Sequence, residues 1–217
     1  MPSPRNLAEL VRAETDGAAL RYVFFLDYGG SYSEHLAEAC LSQWWPSPFC
    51  VGGQEFRTAE QYMMFAKAEL FNDGEATSKI LASQTPFQAQ LIGQRVRGFD
   101  QGLWEAERER IVFEGNLAKF SQDHGLGAFL LATENDILAE ASSQDLVWGT
   151  GFGMDDPTAK IPSRWPGQNL LGFCLMRVRE ALRTRDSDKD GGIGMWANRS
   201  DLSDPNAFVR KIRRGRF

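Results

Sequence analysis

The sequence predicts an α+β fold: a mainly helical single domain around a small β-sheet. Three observations carry this. Capped helix-forming stretches follow one another from residue 58 to residue 133, and another opens at 168. Only a few short aromatic or β-branched runs read as strands. The chain has 217 residues, 42% of them hydrophobic, enough for a core without staples, because single domains commonly reach ~200–250 residues.

The elements follow in order. NLAELVRAE within 1–18 reads as a short helix on a loose lead-in, and RYVFFL at 21–26 as a buried strand. DYGGSYSEH is a Gly/Ser-rich loop opening into a short polar helix, and Pro46 and Pro48 frame a further loop. FCV and QEF flank Gly52–Gly53, a hairpin signal, because two glycines can both take the positive φ of a tight turn. Thr58 is a helix N-cap for TAEQYMMFAKAELF, whose apolar residues wrap so widely that the helix should be deeply buried. Helices are expected at 75–83, at 86–96 with Pro86 in the first turn, at 101–120 and at 126–133. A strand at 137–141 precedes a long irregular segment, 142–168, of the kind that is usually functional. An amphipathic helix closes the body at 168–183. The resulting division is a lead-in at 1–20, a main body at 21–182 and a polar basic extension at 183–217.

Composition excludes several classes. No run approaches the ~18 apolar residues of a membrane span, and MPSPRNLAELVRAE lacks the apolar core of a signal peptide. A cytoplasmic protein without a membrane partner is therefore expected. Cys40, Cys50 and Cys174 are odd in number and form no CxxC, against a disulfide framework or a zinc finger. With only His35 and His124, a multi-histidine metal centre is nearly excluded, so neither metal nor cofactor is expected. The net charge of −5 hides an asymmetry: residues 183–217 carry nine Lys/Arg against five Asp. Such a tail suits a polyanion such as nucleic acid, or is simply a solvated terminus. Asp186, Asp188, Asp190 and Gly191 mimic the start of an EF-hand loop, but Ala197 stands where the bidentate Glu belongs.

Three constellations could carry chemistry. Glu60 and Lys67 are seven residues apart, on one helix face two turns apart, with Met63, Met64 and Phe65 between them. Burying such charges is costly unless they are paired or used. Glu60 is a candidate general base or cation stabiliser and Lys67 a candidate phosphate anchor. Equally, Glu60 could serve the helix start and Lys67 extend to water. The run Asp145–Leu146–Val147–Trp148–Gly149–Thr150–Gly151 sets a carboxylate three before a Trp, which leads into alternating glycines. Those glycines suit backbone approach to a phosphate, and the Trp suits base stacking; a flexible turn is the plainer reading. Trp104 and Arg108 lie one turn apart on the long helix, as substrate contacts or as core and surface.

Taken together, LSQWWPSPFCVGGQEFRTAEQYMMFAKA, IGQRVRGFD, W-x3-R, AKF, LLAT, L-x-E-A-S, D-x-x-WG-x-G and NLLG-x3-M-x-VRE-x-L resemble the NADAR (YbiA-like, DUF1768) superfamily, in order from about Tyr22 to Leu182. The resemblance implies the α+β fold of that family and an N-glycosidase acting on phosphate-bearing N-ribosides. It points to ADP-ribose on guanine in DNA or RNA, or to riboflavin-pathway phosphoribosylamino-pyrimidines. A non-catalytic ADP-ribose or nucleotide-binding module is the alternative. Carried over by motif, Glu60 and Asp145 are the catalytic carboxylates. Trp104, Trp148, Lys67, Arg108, Gly149 and Gly151 contact substrate, with Arg95 as another candidate for phosphate. Two positions depart from the family: Gln43 stands for the usual Asn, and Gln61 for the usual His.

Overall fold

The computed structural model describes residues 3–26 and 38–190. The expected loop and polar helix of DYGGSYSEH and most of the basic extension lie outside them. The architecture is α+β and mainly helical. It divides into two compact units, one of residues 3–26, 38–42 and 124–190, the other Gln43–Asp123.

The first unit holds α1 (Leu7–Thr15), β1 (Tyr22–Phe25), α6 (His124–Ala132), β4 (Ile137–Glu140) and α7 (Leu170–Asp190), with 3-10 turns at Glu38–Leu41 and Pro162–Arg164. Strands β1 and β4 pair in parallel, Tyr22 opposite Ile137 and Phe25 opposite Glu140. All of β4 is buried. Helix α7 packs on β4, and two residues of the NLLG segment make this approach work. A Cβ on Gly172 would lie 2.0 Å from the Leu138 carbonyl oxygen, so only glycine fits there. Asn169 takes a left-handed φ of 51° and is fully buried. Its Oδ1 accepts from Glu140 N at 3.0 Å, and its Nδ2 donates to Leu138 O at 2.9 Å. Arg179, also fully buried, donates through Nη1 to Thr133 Oγ1 at 2.7 Å and to Asp136 O at 3.0 Å. Burial lowers its pKa to about 10.

The second unit holds β2 (Phe49–Val51), β3 (Gln54–Phe56), α2 (Ala59–Leu70), α3 (Gly74–Ala82), α4 (Pro86–Gly93) and α5 (Gln101–Gln122). The β2–β3 hairpin turns on Gly52 and Gly53, at φ 59° and 82°, the positive values expected of a two-glycine turn. Helix α2 is its buried centre. A Cβ on Gly115 would lie 2.4 Å from the Tyr62 ring, and one on Gly93 2.1 Å from Met64 Sδ. These glycines let α5 and α4 close on α2.

Several boundaries move. The strands form two two-stranded sheets among the described residues, one per unit, rather than one small sheet. Helix α4 ends at Gly93, three residues early. The chain there turns so that Arg97 can bond Asp73, its backbone N donating at 2.9 Å and its Nη2 at 2.6 Å. Helix α7 begins two residues late, because Asn169 is left-handed, and runs on to Asp190. Asp186, Asp188 and Asp190 therefore stand on helical backbone, not on a calcium-binding loop.

Candidate functional site

In the second unit, α2 and α5 bring four of the expected residues to one neighbourhood. Helix α2 starts on Thr58, whose Oγ1 accepts from Gln61 N at 3.1 Å. Glu60 N donates to Gln43 O at 3.0 Å. Gln61 Oε1 accepts from Arg57 N at 2.8 Å, and its Nε2 reaches Ile80 O at 2.9 Å. Gln61, the departure from the family's His, is thus a structural clip between α2 and the end of α3. The helix start is capped by Thr58, Gln61 and Gln43. The Glu60 side chain, only 3% exposed, sits where the partial positive charge of a helix N-terminus favours a carboxylate.

Two turns along α2, Lys67 is half-buried. Its ammonium lies 4.6 Å from the Phe99 ring centroid and 5.3 Å from that of Trp104. A cation over aromatic faces is worth ~0.5–2 kcal/mol as desolvation rises. Burial pulls the Lys67 pKa below its ordinary value, and the charge of Glu60 opposes that shift. One face of α2 therefore carries a coupled, desolvated carboxylate and ammonium. Trp104 is 9% exposed and Arg108 stands one turn on, half-buried. The Arg108 Nε is buried with no hydrogen-bond partner, a donor left open beside the lysine's aromatic seat. Arg95 is exposed and lines a groove of about 280 Å3 with Asp73, Glu75, Lys79 and Arg97; neither Lys67 nor Arg108 lines it.

In the first unit, Asp145 and Trp148 meet through the backbone. Asp145 Oδ1 accepts from Val147 N at 2.8 Å and from Trp148 N at 2.7 Å, while Ser142 Oγ accepts from Asp145 N at 3.2 Å. The D-x-x-W spacing is a local cap: a carboxylate folding its own chain back and setting the Trp. Trp148 is half-buried. Gly149 and Gly151 are explained first by packing. A Cβ on Gly149 would meet the Asp145 and Glu140 carbonyl oxygens at 2.9 and 3.1 Å. One on Gly151, at φ 79°, would meet Pro166 Cγ at 2.4 Å. Their N–H groups donate to no acceptor among the described residues. That leaves both amides for a ligand oxygen, the use a glycine-rich turn is suited to. A groove of about 510 Å3 in the same unit is lined by Tyr22, Phe24, Glu38, Asp155 and Lys160 among others, and holds none of the expected residues.

The NADAR domain model matches residues 31–183, which spans both units. The chain belongs to the NADAR family. This NADAR chain is 39% identical over 172 residues to N-glycosidase R617 of Acanthamoeba polyphaga mimivirus, covering 77% of itself and 97% of that protein. It is 30% identical over 135 residues to N-glycosidase YbiA of Escherichia coli strain K12, covering 62% and 76%. The NMR structure of E. coli YbiA superposes with a TM-score of 0.60 at 26% identity, covering 81% of the NADAR chain and 94% of that structure. Among its described residues no helix is long and apolar enough to cross a membrane.

Sequence reasoning missed Phe99 and Asn116, and marked Gln43 only as a departure from the family's pattern. Phe99 follows Gly98 in a turn, and nothing local marks it as the seat of Lys67. Gln43 and Asn116 are 73 residues apart, yet Asn116 Nδ2 donates to Gln43 Oε1 at 2.9 Å. Nothing in the sequence signalled that the two side chains meet.

Proposed function

We propose that this NADAR protein hydrolyses the N-ribosidic bond of a phosphate-bearing riboside, with ADP-ribose on guanine in nucleic acid as the first substrate class and phosphoribosylamino-pyrimidines as the second. The observation that carries this reading is the Glu60–Lys67 face of α2. A glycosidic bond to nitrogen breaks through a cationic, oxocarbenium-like sugar, which a desolvated carboxylate stabilises. Glu60, buried at a helix N-terminus, supplies that charge and orients or deprotonates the attacking water. Water adds its oxygen to the anomeric carbon, and the departing nitrogen leaves with a proton. Lys67 and the open Nε of Arg108 take phosphate, near the Trp104 and Phe99 rings. Asp145 has one oxygen committed to the backbone and the other left for a ribose hydroxyl. Trp148 offers a face for the base, and the amides of Gly149 and Gly151 receive phosphate oxygens.

The test offers the protein an oligonucleotide carrying ADP-ribosyl-guanine and, separately, a phosphoribosylamino-pyrimidine, and follows release of the base. Titration calorimetry with ADP-ribose runs beside it. Turnover that fails in Glu60→Gln supports the reading. Binding of ADP-ribose without turnover of either substrate replaces it with a non-catalytic nucleotide-binding module.

A further inference from the structure

We propose that Gln43 is the positioning residue of Glu60, held in place by Asn116; this rests on Glu60 acting as the catalytic carboxylate. The geometry is a clip between α2 and α5. The Gln43 carbonyl accepts the Glu60 N–H at 3.0 Å, satisfying one of the donors that a helix start leaves open. The Gln43 carboxamide lies between the two helices: Oε1 accepts from Asn116 Nδ2 at 2.9 Å, and Nε2 stands 3.9 Å from Met63 Sδ, one turn beyond Glu60. Both amides are buried, Gln43 at 8% exposure and Asn116 at 0%.

The backbone that fixes the first turn of α2 is thus fixed by a side chain that α5 grips. The grip is not there for stability alone. Asn116 Nδ2 is shared with Val112 O, and Asn116 Oδ1 is buried without a hydrogen bond. A buried acceptor left open is costly, so an apolar pair would have been the cheaper way to join two helices. A pair of amides instead sets a register, because hydrogen bonds are directional where apolar contacts are not. An asparagine at this position would be one methylene, about 1.5 Å, too short to keep a 2.9 Å bond to Asn116 without movement of the chain.

The experiment compares wild type, Gln43→Asn and the double variant Gln43→Asn/Asn116→Gln, which moves the missing methylene across the pair. Turnover of the ADP-ribosyl-guanine oligonucleotide is followed together with thermal melting. The Glu60 carboxyl 13C resonance, assigned by its loss in Glu60→Gln, is titrated in the same proteins. Positioning predicts that Gln43→Asn loses about 10–100-fold in kcat with KM within about 2-fold, since a misplacement near 1 Å costs that much. It also predicts a displaced Glu60 titration and partial recovery of both in the double variant. If that double variant does not fold, the kcat-against-KM split and the resonance in Gln43→Asn still decide. An unmoved Glu60 resonance in folded Gln43→Asn overturns the inference, as does an unchanged kcat. If the wild type releases no base, the glycosidase reading fails and the resonance alone judges the clip.

Discussion

In the second unit, Glu60, Lys67, Trp104 and Arg108 ride on two packed helices; in the first, Asp145, Trp148, Gly149 and Gly151 ride on a loop folded back on itself. The helical set is tuned by burial. Its carboxylate is nearly inaccessible, its ammonium sits over two rings, and the surrounding side chains are held by glycine-permitted contacts at Gly93 and Gly115. The loop set is tuned by hydrogen bonds. Asp145 spends one oxygen on two backbone N–H groups, and the glycines exist where any Cβ would strike the loop's own atoms. Charge in the first case is set by burial at a helix start and by the Glu60–Lys67 interaction along one face. In the second, half of the carboxylate's capacity is structural. Removing a charge should therefore spare stability in the helical set, and in the loop should spare it only where the hydrogen-bonding oxygen is kept.

The largest expected effect is that of Glu60→Gln. The shape is kept and the charge removed, so kcat should fall by about 10³-fold, the scale of losing a principal electrostatic stabiliser. The melting temperature should hold or rise, because a buried carboxylate gives way to a neutral amide. A fall in both would mean that Glu60 is chiefly a structural charge, and the contrast with Asp145 would vanish.

Next comes Asp145, in two variants. Asp145→Ala removes the acceptor of two N–H bonds and should cost about 1–2 kcal/mol of stability as well as activity. Asp145→Asn can keep Oδ1 in place, so its melting temperature should stay near wild type while turnover drops by about 10–100-fold. Thermal melts beside kcat measurements check this. Equal activity in Asp145→Asn and wild type would leave Asp145 a cap and nothing more.

This contrast was only partly legible in the sequence. Helices, the hairpin and the Thr58 cap follow from local rules, because caps and two-glycine turns act over a few residues. Glu60 and Lys67 were found because seven residues on a helix share a face. The boundaries that moved were set from afar: α4 stops early where Arg97 finds Asp73 twenty-four residues back, and α7 starts late where Asn169 turns left-handed to hold β4. Gly149 and Gly151 were expected to serve a ligand, and the loop's own packing demands them first. Gln43–Asn116 and Lys67–Phe99 were invisible, since nothing in a linear pattern reports a partner many residues away in an unrelated motif.

Lys67→Met tests the helical set by pH. Burial holds the folded pKa of Lys67 below its ordinary value of 10.5. Between those two values the unfolded chain binds more protons than the folded one, so this residue makes stability rise with pH across that window and adds nothing further above it. In Lys67→Met that alkaline rise should flatten, and KM for a phosphate-bearing substrate should increase by about 10-fold, the scale of one charge-assisted contact. Urea melts at several alkaline pH values check the first claim and steady-state kinetics the second. A Lys67 that only reached for water would show neither.

The smallest expected effect is that of Phe99→Ala. Phe99 is 43% exposed, packed at 5.2 Å against Phe71, and carries the Lys67 ammonium on its ring. Removing the ring deletes about 0.5–1 kcal/mol of cation–π attraction and frees the lysine, so KM should rise by about 3–5-fold with kcat nearly unchanged. The informative measurement is the double-mutant cycle with Lys67→Met. If Phe99 acts by seating the lysine, the two KM effects must overlap, and the pair should cost little more than Lys67→Met alone. Additive effects would instead make Phe99 a contact for substrate in its own right, and the helical set would then share with the loop an aromatic exposed for stacking.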